Sequence, residues 1–108
     1  MNNISRFSPK GIWCGTFTKS NYAGGTSVQL QNSDGTPLTR ATLNNWFGVD
    51  YGTETAKYHY VAFAMNGDAA VTGTHISGVA WSNDSLYAVA EESLSGKMFR
   101  INWCVMLF

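Results

Sequence analysis

The sequence predicts an all-β chain, a jelly-roll-like antiparallel β-sandwich of about eight short strands with an extended N-terminal arm. Three observations carry this. Only 13% of the 108 residues are charged, while 14% are aromatic and 11 are glycine, a balance poor in helix formers and rich in turn formers. Turn signals recur roughly every 8–12 residues. Two segments alternate cleanly between apolar and polar side chains, the period of a strand with one buried face.

Residues 1–11 are polar, with Pro9 and Gly11 as breakers, and read as the arm; residues 12–108 form the single domain. "IWCGTFT" (12–18) is a strand and "KSNYAGG" (19–25) a loop. In "TSVQLQ" (26–31), Val28 and Leu30 share one face, and Ser27, Gln29 and Gln31 the other. "NSDGTP" is a turn by its Asp-Gly and Pro signals. Within residues 38–56, "ATLNNWF" forms either a short helix capped by Thr39 or an irregular crossover. "KYHYVAFAM" (57–65) is a strand by its Tyr, Val and Phe content. Asn66-Gly67 is the strongest short hairpin signal, so "AAVTGTHI" (69–76) should return beside it. "GVAWS", a turn at "NDS", "LYAVAEE" (86–92) and a turn at "SLSGK" follow.

"MFRINWCVMLF" is the last strand. Phe99, Ile101, Trp103, Val105 and Leu107 share a wholly apolar face, which must be core. Met98, Arg100, Asn102, Cys104 and Met106 share a second face that turns apolar toward the end. A strand covered on both faces is central in a sandwich or packed on another subunit. Trp103, Val105, Met106, Leu107 and Phe108 are therefore expected at or near a subunit interface. Pairing of "GIWCG" with "INWCV" would set two Trp-Cys steps side by side. Two cysteines make no disulfide scaffold, and Cys14 and Cys104 are read as buried thiols acting as small hydrophobes.

The formal net charge is zero, which favours association and lacks the basic excess of a nucleic-acid binder. Bases cluster early, at Arg6, Lys10 and Lys19, and acids dominate residues 41–96. That distribution suits head-to-tail contact between copies, with Arg6, Phe7 and Lys10 as the assembly arm. No stretch is long and apolar enough for a membrane helix. "MNNISRFSPKG" lacks a basic region followed by an apolar one, which predicts synthesis in the cytoplasm without a signal peptide.

Chemistry is thinly represented. A two-residue loop at Asn66-Gly67 would put His59 and His75 on opposite faces, which disfavours a metal pair. No serine sits in G-x-S-x-G, Glu91 and Glu92 face opposite ways in a strand, and no glycine-bearing loop matches a phosphate cradle. No catalytic, cofactor or metal residue is expected, and the chain is read as a non-enzyme. Aromatics beside polar loops are more suggestive: Trp46 in "NNWFG", and Trp81, Asn83 and Asp84 in "AWSND". These could stack on and hydrogen-bond a sugar, or anchor a protein interface, where Trp is enriched.

In style over the whole chain, the sequence resembles small virion accessory proteins of tailed bacteriophages. The shared features are a short chain with a polar arm, low charge, Asn-Gly and Asp-Gly turns, and an apolar last strand of the "INWCVML" kind. The resemblance implies a capsid decoration or cement protein, or a fibre knob, located in the virion; it carries no functional residue over. The cysteine pair departs from extracellular knobs, which more often lack or oxidise such residues. The leading expectation is a structural protein that oligomerises and docks on a larger assembly such as a capsid lattice. The alternative is a carbohydrate- or receptor-binding module using Trp46, Trp81, Asn83 and Asp84.

Overall fold

The last strand organises the molecule. In the computed structural model, which describes residues 9–67 and 75–108, β6 (Phe99–Leu107) lies between β1 (Gly11–Lys19) and β3 (Tyr60–Asn66) in a first antiparallel sheet of order β1-β6-β3. Its alternation sets the face: Phe99, Ile101, Trp103, Val105 and Leu107 are all buried. Removing such side chains from water is worth roughly 1.5–3 kcal/mol each. A second antiparallel sheet, order β2-β5-β4, is built from β2 (Ser27–Gln29), β4 (Ile76–Ser82) and β5 (Ser85–Ala90). Leu86, Ala88 and Ala90 of β5 and Val28 of β2 point into the same core as β6.

Two helices complete the described residues. In α1 (Arg40–Phe47), the Thr39 hydroxyl accepts the Thr42 backbone N–H at 3.1 Å, and Gly48 closes the C-terminus with a left-handed φ of 70°. Ser, Thr and Gly are favoured at these two kinds of position because each satisfies backbone groups the helix leaves unpaired. Of the two readings of residues 38–56, the capped helix is the one that forms. The helix α2 (Thr53–His59) runs directly into β3.

The aromatic core explains a glycine. Trp46 of α1 lies between Trp13 and Trp103, with ring centroids 4.7 and 6.2 Å away and nearly parallel planes. The Trp103 indole N–H donates to the Gln31 carbonyl at 2.6 Å. A Cβ on Gly15, which pairs with Trp103, would stand 2.5 Å from that ring. Only glycine leaves room there.

Several expectations are corrected. The fold is mostly β, as expected; the described residues hold six strands in two three-stranded antiparallel sheets and, unlike the all-β expectation, two helices. Residues 57–59 close α2, where a strand was expected. Among the described residues β3 pairs with β6 and β4 with β5; the hairpin expected at Asn66-Gly67 returns through residues that lie outside them. Part of the expected return strand, residues 69–74, lies outside the described residues, as do Arg6 and Phe7 of the expected arm. Lys10 is exposed, and its backbone N–H donates to the Leu107 carbonyl at the end of the first sheet. "GIWCG" and "INWCV" do pair, antiparallel, with Cys14 opposite Cys104. The two cysteines are not buried thiols: they form a disulfide on the sheet's outer face, where Cys14 is exposed.

Candidate functional site

Two places stand out, and the first is the outer face of the β1-β6-β3 sheet. The register stacks three rows of side chains across it: Ile12, Met106 and Val61; Cys14, Cys104 and Phe63; Thr16, Asn102 and Met65. Ile12 is 59% exposed, Val61 50%, Phe63 54% and Met65 64%. No side chain in these rows is charged; the first charge along β6 is Arg100. The disulfide lies in the middle row, and beside it Cys14, Gly15, Phe63, Met65, Asn102 and Cys104 line a shallow hollow of about 170 Å³.

β3 supplies the anomaly. Val61, Phe63 and Met65 are large, apolar and face out, whereas past the buried Tyr60 the inward positions are two alanines, Ala62 and Ala64. Packing dictates the inner half: Ala64 sits opposite Trp103 and Ala62 opposite Val105, so the inner face has no space for more volume. Nothing in the fold of the described residues requires the outer half to be apolar.

The second place is a polar pocket of about 440 Å³ lined by Thr53, Glu54 and Lys57 of α2 and by Trp81, Asn83 and Asp84 at the β4–β5 hairpin. Three of the four residues expected in a ligand site, Trp81, Asn83 and Asp84, meet here. The fourth, Trp46, does not; it is held in the tryptophan stack instead. The hairpin has a two-residue loop, with Ser82 paired to Ser85 and Asn83 at φ 55°. The Asp84 carbonyl accepts the Arg40 backbone N–H at 2.6 Å, tying the loop to the start of α1. The Arg40 Nε lies 3.9 Å from the Asp84 carboxylate, and its Nη1 donates to the Tyr51 carbonyl at 3.2 Å.

Behind the pocket is a buried polar network. The Tyr60 hydroxyl donates to Asn44 Oδ1 at 2.8 Å, and Asn44 Nδ2 donates to the Tyr51 carbonyl at 2.8 Å. Burial, with a smaller contribution from Tyr51, pushes the Tyr60 pKa up to about 12, so its proton stays in place for that bond. Tyr51 stacks on His59 at 3.8 Å. The Phe108 backbone N–H donates to the His59 carbonyl at 2.8 Å, which fastens the last residue to the end of α2.

The expected interface residues separate. Trp103, Val105 and Leu107 are buried in the chain's own core, where no partner reaches them. Met106 lies on the outer face and Phe108 is half-buried at its end. Sequence reasoning missed Ile12, Val61, Phe63 and Met65 on the face, and Thr53, Glu54 and Lys57 in the pocket. The "VAFAM" alternation was the available signal for the face; the usual assumption, large side chains inward, points it the wrong way. Among the described residues, no cluster of three or more His, Cys, Asp or Glu could hold a metal, and no helix is long and apolar enough to cross a membrane. In comparisons with known proteins, no family model, curated protein or solved structure matches the chain.

Proposed function

We propose that this chain is a non-enzymatic assembly module that pairs with a second copy of itself through the outer face of the β1-β6-β3 sheet. The observation that carries the reading is β3, with Val61, Phe63 and Met65 turned out beside Ile12 and Met106. Contiguous exposed apolar side chains on a sheet face mark an interaction surface. The three central rows carry no charge, so two copies related by a twofold axis meet without like-charge repulsion. A protein of zero formal net charge adds no long-range repulsion to oppose this.

The setting we infer is the surface of a larger particle, of the capsid-decoration kind that the sequence resembles. The disulfide is consistent with it, because such bonds persist in oxidising surroundings and are rare in cytosolic ones. A module made inside a cell and used outside it could oxidise after release.

Light scattering on the purified chain at several concentrations tests the pairing. The expected result is a dimer or higher species that Phe63→Asp converts to monomer with unchanged circular dichroism. Ala80→Asp, an exposed position on the second sheet, should leave the mass of the wild type unaltered. A wild-type chain that stays monomeric at every concentration overturns the reading.

A further inference from the structure

The polar pocket shares no residue with the docking face, and its chemistry is different. We propose that it binds a neutral pyranose sugar, with Trp81 as the stacking surface and Asn83, Asp84 and Thr53 taking ring hydroxyls. This goes beyond assembly and stands independently of it.

Four observations combine. The pocket, about 440 Å³, falls within the range of small-molecule sites, roughly 300–1,000 Å³. Its lining is one large aromatic surrounded by polar groups, where most ligand sites are predominantly apolar. Such a mixture suits a ligand with an apolar C–H face and a rim of hydroxyls, as a pyranose has. Trp81 packs against the buried Tyr60 ring with centroids 6.2 Å apart, so it is supported from behind while it lines the cavity. The loop that carries Asn83 and Asp84 is fixed: Asn83 takes a positive φ, which Asn tolerates better than most residues, and the Asp84 carbonyl is bonded to the start of α1. Groups held in place before binding lose less freedom on binding.

Charge selects among ligand classes. The pocket contains two carboxylates, which by themselves would suit a cation over the tryptophan face. Each already faces a cation of the chain. Lys57 Nζ lies 3.5 Å from Glu54, and Arg40 Nε lies 3.9 Å from Asp84. The site therefore presents donors and acceptors with its field largely balanced, which disfavours a phosphate or a free amine and leaves a neutral, hydroxyl-rich ligand. The chemistry of Asp84 also suits such a ligand: a carboxylate accepts from two adjacent hydroxyls at once.

The test is two-dimensional NMR on isotope-labelled wild-type chain, titrated with a panel of neutral hexoses, N-acetylhexosamines and their short oligosaccharides. Saturable shifts at the Trp81 indole and the Asn83 side-chain amide are expected for at least one member. Asn83→Gly keeps a residue suited to the positive φ while removing the amide, and should weaken binding roughly three- to tenfold. Trp81→Ala should weaken it on the order of tenfold or more. If that variant does not fold, Asn83→Gly still decides. Phe63→Asp should dissociate the assembly and leave sugar binding intact, so the two proposals fail separately. Absence of saturable shifts with every sugar overturns the inference, as does saturable binding of the control ligand lysine methyl ester in their place. Sugar binding that Asn83→Gly leaves unchanged overturns the placement.

Discussion

The two sheets share one core yet present opposite outer surfaces. On the second sheet, the outward positions of β2, β4 and β5 are Ser27, Gln29, Gly78, Ala80, Ser82, Ser85, Tyr87 and Val89, mostly small or polar. They also bond among themselves: Gln29 Nε2 donates to Ser85 Oγ at 2.9 Å, and the nearby Ser77 hydroxyl donates to the Val89 carbonyl at 3.1 Å. On the first sheet the same kind of position carries Ile12, Val61, Phe63, Met65 and Met106, with a disulfide in the middle. Among the described residues, one surface is mostly polar or small and the other is apolar. The difference teaches that the core alone does not explain the composition of β3, because the core takes only Tyr60, Ala62 and Ala64 from it.

Substitutions can break or sharpen this contrast. The largest effect belongs to the shared inner face. Trp103→Ala should cost about 3–5 kcal/mol in chemical denaturation, since the ring is buried, stacked on Trp46 and bonded to Gln31. Phe63→Ala, one strand away and facing out, should change the stability of the isolated chain by no more than about 0.5 kcal/mol. If Phe63→Ala were as costly as Trp103→Ala, the outer face would belong to the fold and the contrast would collapse.

A smaller effect comes from the covalent link. Replacing Cys14 and Cys104 together by serine opens a link spanning 90 positions and should lower stability by about 2–4 kcal/mol. Hydrogen exchange locates the change: amides of β1 and β6 near the lost bond should gain the most exchange. Equal gains in β5 would show that the two sheets open as one unit.

The mildest test is pH. Tyr60 sits where β3 meets α1, and its pKa is raised in the folded chain to about 12 from an ordinary 10. A raised folded pKa means that the stabilisation is complete below pH of about 10 and is lost as pH rises toward 12. The melting temperature should therefore fall across that window, and Tyr60→Phe should make the fall shallower. Tyr22, whose pKa burial also raises, should leave some residual slope. A Tyr60→Phe curve parallel to wild type would detach the Asn44 network from stability.

How much of this was legible depended on whether the determinant was local. The alternation of β6, the Thr39 cap and the Ser82–Ser85 turn are written within a few residues, and the structure contains them. Strand partners are not local. That β3 takes one edge of β6 is not written in the neighbourhood of either strand. The end of α2 was hidden because Tyr58 and the Tyr60, Val61 and Phe63 that follow favour strands. The helix is held by longer-range contacts: buried Ala56, the Tyr51–His59 stack and the bond from Phe108. The echo of "GIWCG" in "INWCV" pointed to the pairing that opposes Cys14 and Cys104, but not to the bond, since two cysteines 90 positions apart read equally well as buried thiols. In the pocket, the hairpin half was readable as Trp81, Asn83 and Asp84. The α2 half was not, because it required knowing that Thr53, Glu54 and Lys57 lie on a helix beside that hairpin.

The position of the disulfide along its ladder has a mechanical meaning. Gly11 pairs with Leu107, so the start of β1 and the end of β6 lie side by side at one end of the sheet. Tension that separates them peels the strands one rung at a time, the geometry in which a ladder resists least. The tear passes Gly11↔Leu107, Ile12↔Met106 and Trp13↔Val105, and then reaches Cys14–Cys104. There the load transfers to a covalent bond. Everything between the two cysteines, including both the second sheet and the pocket, is shielded from the pull. A chain stretched at those two points would yield by about 20 Å, the three residue steps freed on each strand, and stop, as cloth does at a stitched hem.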